Sequence, residues 1–221
     1  MGMLRALTIF LAMAGASSKL LIQKQAPNFS LPAAMPDGST KTLSLTDYRG
    51  KYVILFFYPF DFTFVCPTEI LAFNAIAEEL RAKGAEVLAA STDSVHSHLA
   101  YRRLSPAEGG IGPVNYPILS DFNKEAATAY DVLADDGSAH RATFLIDKSG
   151  IVHHQLINNE PLGRNVEEAI RMLDALQHFE ANGQVCQAGF KKGQKSLGAA
   201  NAALEDRFKD VSSWLGEHYG K

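Results

Sequence analysis

The chain has 221 residues, a formal net charge of -3 at pH 7 and 47% hydrophobic residues. That length suits one α/β domain with extensions, and that apolar content rules out wholesale disorder. The slight negative charge, with no Lys/Arg block to reverse it, excludes nucleic acid and an anionic membrane surface as main partners.

In chain order, Arg5 precedes an apolar run over residues 6–14, and Ala14-Gly15-Ala16 has the form of a signal-peptidase site. The run is far too short to span a bilayer, and Met13 would serve as an ordinary start. Residues 1–18 are read as an N-terminal extension or a signal-like segment. A cytoplasmic location is expected, with export the alternative if residues 1–16 are a signal peptide. No other stretch could cross a membrane.

Residues 28–32 read as a short edge strand, and Pro36-Asp37-Gly38 as a turn. Residues 52–57 form a continuous apolar, β-rich run, the pattern of a strand buried on both faces. Pro59 ends it. A helix is predicted from Pro67 to Lys83: proline suits the first turn, Glu69 suits its positive end, and Ile70, Phe73, Ile76, Ala77 and Leu80 keep one apolar stripe. Further strands are expected over 86–90, 142–147 and 151–157, the last two joined by the turn 148–150. Helices are expected over 96–103, after Asp121, and over 165–179. This order points to an α/β chain: a thioredoxin-like fold, with a central mixed β-sheet flanked by helices and a C-terminal tail. The proposed division is 1–18 extension, 19–181 domain and 182–221 tail, where Gly183, Gly189, Gly193 and Gly198 break the pattern before a helix over 199–217.

Only two cysteines occur, Cys66 and Cys186. They form neither a disulfide scaffold nor a CxxC pair, and by count alone such cysteines are most often inert. Local sequence overturns that for Cys66, which stands between a buried strand and a helix start. A sulfur there faces unpaired helix N–H groups and the positive end of the macrodipole, a setting that favours thiolate. Thr63 can add a hydroxyl, Pro59 and Pro67 restrict the backbone, and Arg141, just before a strand, is the candidate cation.

The string Pro59-x-x-x-Thr63-x-x-Cys66, followed by Pro67-Thr68-Glu69, resembles the active-site signature of typical two-cysteine peroxiredoxins. That group includes thioredoxin peroxidases and the peroxidase component of alkyl hydroperoxide reductase. The resemblance continues through Ser91-Thr92-Asp93, Arg141 to Asp147, Gly163-Arg164 and Val185-Cys186, and covers roughly residues 27–193. It implies that Cys66 is the peroxidatic cysteine, that Thr63 and Arg141 activate it, that Pro59 shields it and that Glu69 is a supporting partner. It also implies that Cys186 is the resolving cysteine, reaching Cys66 of the partner subunit in a homodimer, with a ring of five dimers open by analogy. Hydroperoxides would be the substrates, and thioredoxin or a flavoprotein disulfide reductase the recycling partner. No cofactor or metal is implied. The rim Phe60, Phe62 and Phe64 would admit organic hydroperoxides as well as hydrogen peroxide.

The chain departs from the pattern at Gln187, in place of a proline, and at Phe190, in place of a tryptophan; modest effects on tail packing follow. Gly109-Gly110-Ile111-Gly112 resembles a loop of overoxidation-sensitive relatives. Their C-terminal Tyr-Phe pair is missing here, so intermediate to robust behaviour is expected. Three alternatives remain in view: a metal enzyme built on His96, His98, His153 and His154, a thioredoxin-like disulfide exchanger, and an oligomeric chaperone using the amphipathic stretch 204–215. Adjacent histidines on a strand point to opposite faces, the two cysteines are far apart in sequence, and such a stretch more often packs on its own subunit.

Overall fold

The computed structural model of the chain describes residues 20–199 and 203–220; the segment 1–18 lies outside them. The main sheet contains β1 (Ser30–Ala34), β2 (Thr40–Ser44), β3 (Tyr52–Phe57), β4 (Ala85–Ser91), β5 (Ile118–Ser120), β6 (Arg141–Ile146) and β7 (Val152–Asn158). Their order is β2-β1-β5-β4-β3-β6-β7. The β3–β4 and β4–β5 pairs are parallel and the others antiparallel, so the sheet is mixed.

All six residues of β3 are buried, as its unbroken apolar run requires. The strand's alternation divides them between two cores. Val53, Leu55 and Phe57 meet Leu88, Phe144 and the short helix α3 (Glu125–Ala129) on one face. Ile54 and Phe56 meet the longer helices on the other: α1 (Cys66–Ala82), α2 (Val95–Arg103) and α4 (Glu167–Asn182), through Ile70, Phe73, Tyr101 and Leu173. Phe56 and Phe73 stack with ring centroids 4.2 Å apart, pinning the middle of α1 to the sheet.

The helix ends follow local chemistry. Ser94 caps α2 by accepting from Ser97 N–H (3.2 Å). The Asp121 carboxylate accepts from the N–H groups of Ala126 and Ala127 (2.9 and 2.6 Å), which is what starts α3. Gly84 follows α1 at φ +77, a left-handed conformation that favours glycine.

The structure corrects several boundaries. The first strand is not an edge but lies between β2 and β5. The β5 ladder reaches only Ala33 and Ala34, so Pro32, which has no N–H to give, stands where that side is unpaired. The sequence pattern announces neither β2 nor β5: β2 is largely exposed and polar, and β5 has three residues. Arg141 belongs to β6 instead of preceding it, and α4 is displaced C-terminally, ending at a left-handed Gly183. The tail contains its own two-stranded sheet, β8 (Gln184–Val185) with β9 (Leu197–Ala199), followed by α5 (Leu204–Tyr219). α5 begins after residue 199, and leaves Leu204, Val211 and Leu215 exposed.

After α2 the chain turns tightly through Gly109 to Gly112. A methyl on Gly110 would overlap the Leu104 carbonyl oxygen and lie 2.5 Å from Leu104 Cβ. Gly110→Ala is therefore expected to destabilise the protein by about 1–3 kcal/mol. In thermal unfolding the midpoint should fall by several degrees, at roughly 2–4 °C per kcal/mol for a chain of this size.

Candidate active site

β3 ends at Phe57, and residues 58–65 cross the end of the sheet before α1 begins at Cys66. The antiparallel register sets Phe57 opposite Ala142, so Arg141 stands at the same end of the sheet, facing the start of α1. Glu69, three residues into α1 from Cys66, shares a face with it. The chain thus brings a sulfur, a guanidinium and a carboxylate together from two elements by register and helical period alone.

Cys66 is fully buried. Arg141 Nη1 lies 3.4 Å from Cys66 Sγ and donates to Glu69 Oε2 at 2.7 Å, while its Nε donates to the Glu160 carbonyl at 2.5 Å. Burial alone would lower the Arg141 pKa, but the hydrogen bond to Cys66 and the charge of Glu69 outweigh it and raise the value above that of an ordinary arginine. The guanidinium stays charged and oriented.

Glu69 is also held by Arg164, from the loop between β7 and α4. Arg164 donates through its backbone N–H and Nε to Oε1 (3.0 and 2.9 Å) and through Nη2 to Oε2 (2.9 Å). Its Nη1 donates to the carbonyls of Phe57 and Ala142, both at 2.8 Å, tying the ends of β3 and β6 together. The guanidinium lies over the Phe56 ring, 5.1 Å from its centroid. The side chains of Glu69, Arg141 and Arg164 are all 3% exposed or less, so this is a buried triad of charges.

A cavity of about 340 Å³ opens above the sulfur, lined by Pro59, Thr63, Phe64, Val65, Cys66, Arg141, Glu160 and Pro161. Five of the six residues singled out from sequence therefore converge: four line the cavity, and Glu69 sits behind Arg141. The Thr63 hydroxyl donates to the Phe60 carbonyl at 3.1 Å, so the donor expected for peroxide is turned onto its own loop. The expected aromatic rim is corrected. Only Phe64, 95% exposed, lines the cavity; Phe62 packs against Tyr101 with centroids 4.6 Å apart.

Cys186 is placed elsewhere, half-buried in the tail with Sγ 3.6 Å from the Ala175 carbonyl of α4. Both cysteines are free thiols. Burial raises the Cys186 pKa, opposed by the charge of Arg171. The two departures in the tail are anchoring residues: Gln187 Nε2 donates to the Lys195 carbonyl (2.8 Å), and Phe190 is buried with its ring 5.0 Å from that of His178. His153 pairs with Asp147 at 2.9 Å, while His154 lines a separate small pocket with Phe73 and Glu168. No group of three His, Cys, Asp or Glu side chains is placed to hold a metal among the described residues.

Arg164 is the residue of this site to which the sequence assigns no role. The motif string Gly163-Arg164 marks it, but nothing in a lone loop arginine foretells three bonds to a buried glutamate.

Comparison with known proteins shows which family the chain resembles. The model of the AhpC/TSA family matches residues 22–155. Peroxiredoxin-2 of Mus musculus is 48% identical over 183 residues, covering 82% of this chain and 92% of that protein. A thioredoxin peroxidase of Echinococcus granulosus is 49% identical, covering 80% and 92%. The crystal structure of the reduced 2-Cys peroxiredoxin of Plasmodium vivax superposes with a TM-score of 0.79 at 44% identity, covering 80% and 93%.

Replacing Glu69 by Gln would aim amide hydrogens at two buried guanidinium groups and remove the only carboxylate between them. Breaking a buried ionic cluster from one side costs about 3–5 kcal/mol. Urea unfolding of Glu69→Gln should show a loss of that order, with an unchanged m-value.

Proposed function

The chain belongs to the AhpC/TSA family and is a thiol-dependent peroxidase, and we propose that Cys66 is the sulfur that attacks the hydroperoxide, with Cys186 of the partner subunit closing the cycle. What supports this is one contact set: Arg141 Nη1 shared between Cys66 Sγ at 3.4 Å and Glu69 Oε2 at 2.7 Å, at the floor of a cavity that reaches the sulfur.

In the proposed reaction the Cys66 thiolate attacks the distal oxygen of ROOH. An S–O bond forms, the O–O bond breaks, and RO⁻ leaves to take up a proton as water or an alcohol. Negative charge moves from sulfur toward the departing oxygen, and Arg141 is fixed where it can follow that movement. Pro59, Val65 and Phe64 keep the cavity apolar and small, and Thr63 supplies a hydroxyl once turned from Phe60. Cys66 is left as a sulfenic acid, which condenses with the Cys186 thiol to release water and form a disulfide. A dithiol reductant then restores both thiols by exchange.

The reductant is read as thioredoxin or a flavoprotein disulfide reductase, and the assembly as a homodimer, with a ring of five dimers as its extension. Residues 19–181 are taken as the catalytic unit and 182–221 as the arm that carries the second thiol. Cys66 lies in its cavity and Cys186 against α4, so both segments must open for the disulfide to form. No helix among the described residues is long and apolar enough to cross a membrane. A cytoplasmic location remains the reading, with export the alternative if residues 1–16 are a signal peptide.

A Cys66→Ser variant should lose peroxide turnover entirely, while Cys186→Ser should consume about one equivalent and stop. Mixing the two variants under peroxide should give a covalent dimer on non-reducing gels; exclusively intrachain disulfides in the parent protein would overturn the partner-subunit reading.

Arg141→Lys keeps the charge but loses the fork that reaches Cys66, Glu69 and the Glu160 carbonyl together. Its kcat/KM for hydrogen peroxide should fall by about 100-fold or more, as when one fixed donor is withdrawn from a developing oxyanion.

A further inference from the structure

Between the sheet and α2 lies a knot of polar groups that the peroxide chemistry does not use. Asp61 is its centre, with a side chain 1% exposed. Oδ1 accepts from the Tyr58 hydroxyl at 2.7 Å; Oδ2 accepts from the Ser97 hydroxyl at 2.7 Å and faces His98 Nδ1 at 2.9 Å. The Asp61 backbone N–H donates to Asp93 Oδ2 at 2.9 Å, and the Ser91 hydroxyl donates to the same oxygen at 2.7 Å. His98 is fully buried, with Nε2 3.2 Å from the Leu119 carbonyl.

The adjoining residue adds an apolar half. Phe62 packs on Tyr101 and holds a left-handed φ of 55°. A non-glycine residue keeps that conformation only when its surroundings determine it. Two consecutive residues of the loop are thus fastened to α2, both shortly before Cys66 on the segment that must yield before a disulfide can form.

We infer that Asp61 and His98 are positioning residues: by fastening this loop to α2, they hold Cys66 where it meets peroxide and set how readily it is released toward Cys186. The inference rests on the assignment of Cys66 and Cys186 made above. It follows from a two-state balance. With the loop closed, the sulfur attacks peroxide. With the loop open, the Cys66 sulfenic acid condenses with the Cys186 thiol, forming the S–S bond and releasing water. A sulfenic acid that stays closed can instead meet a second peroxide and become sulfinic acid. Each hydrogen bond removed from Asp61 shifts the balance toward the open form. Three observables then move in fixed directions: slower attack, faster disulfide formation and less sulfinate. A merely structural role would not split attack from resolution in this way.

Side-chain stereochemistry supplies a rescue. An asparagine amide nitrogen occupies roughly the place of histidine Nδ1, and a glutamine amide nitrogen that of Nε2. His98→Asn therefore keeps a nitrogen facing Asp61, whereas His98→Gln keeps only the one facing the Leu119 carbonyl.

The test is rapid-mixing kinetics with mass spectrometry of the full-length protein and hydrogen peroxide. Ser97→Ala and His98→Gln should form the disulfide about threefold to tenfold faster, attack peroxide more slowly and need correspondingly more peroxide to reach half sulfinate. His98→Asn should stay close to the parent. Unchanged disulfide rates in Ser97→Ala and His98→Gln, or His98→Asn behaving like His98→Gln, would overturn the inference. If the His98 variants fail to fold, Tyr58→Phe and Ser97→Ala, each removing one hydroxyl, decide it by the same criterion. Peroxide attack by the parent protein and its absence in Cys66→Ser are measured alongside, so that failure of the underlying assignment is seen separately.

Discussion

The carboxylate of Glu69 is the constraint on which the rest of the site depends. Two guanidinium groups are buried at one end of the sheet, and without an anion between them neither would stay there. Glu69 accepts four hydrogen bonds, one from Arg141 and three from Arg164. It neutralises one of the two positive charges. The other is left facing the sulfur, and the cluster as a whole is short of one negative charge. Cys66 Sγ lies 3.4 Å from that guanidinium. In the reaction proposed above the same deficit would be available to the oxygen that departs, so one electrostatic arrangement would serve the start and the finish of the step.

Arg164 explains why this arrangement is rigid. Its Nη1 bonds the last carbonyl of β3 and a carbonyl of β6, and its face rests on the aromatic stack beneath α1. The charge cluster is therefore fixed to the sheet and not merely to the loop that covers it. Sheet register supplies Arg141, helical period supplies Glu69, and Arg164 locks the two elements at the distance those rules require. The cavity's walls come from connecting loops instead, residues 59–65 and 160–161. The separation allows the covering loop to open without dismantling the charges underneath.

Much of this was legible in the sequence because it follows short-range rules. The unbroken run at Tyr52 to Phe57 could be little other than a strand buried on both faces, and Pro67 with Glu69 marks a helix start. Arg141 was legible through its motif context, though the strand that carries it begins one residue earlier than expected. What escaped depends on pairing across the fold. β5 is three residues long and exists because β1 and β4 flank it. The grouping of Asp61 with Tyr58, His98 and Asp93 draws on three elements, and no spacing in the chain announces it. The Phe60, Phe62 and Phe64 repeat suggested one rim, but the left-handed turn at Phe62 sends that ring to α2 and leaves Phe64 alone at the cavity.

The two cysteines are covered by different means. Cys186 sits in a thin hairpin held by Gln187 to Lys195, Ser196 to Gln184 and the Phe190 ring. The hairpin also reaches two helices, through Cys186 Sγ at the Ala175 carbonyl of α4 and the Gly198 N–H donating to Asp210 of α5. Cys66 begins a helix pinned to the core and is preceded by a loop whose buried Asp61 carboxylate accepts from Tyr58 and Ser97. Burial, and then the like charge of Asp61, raises the Asp93 carboxyl above the ordinary aspartate range, so the loop stays beside this second acid only while its donors stay in place. On the proposed chemistry, the lifetime of an oxidised Cys66 would then depend on what fastens this loop as well as on the arm that comes to meet it.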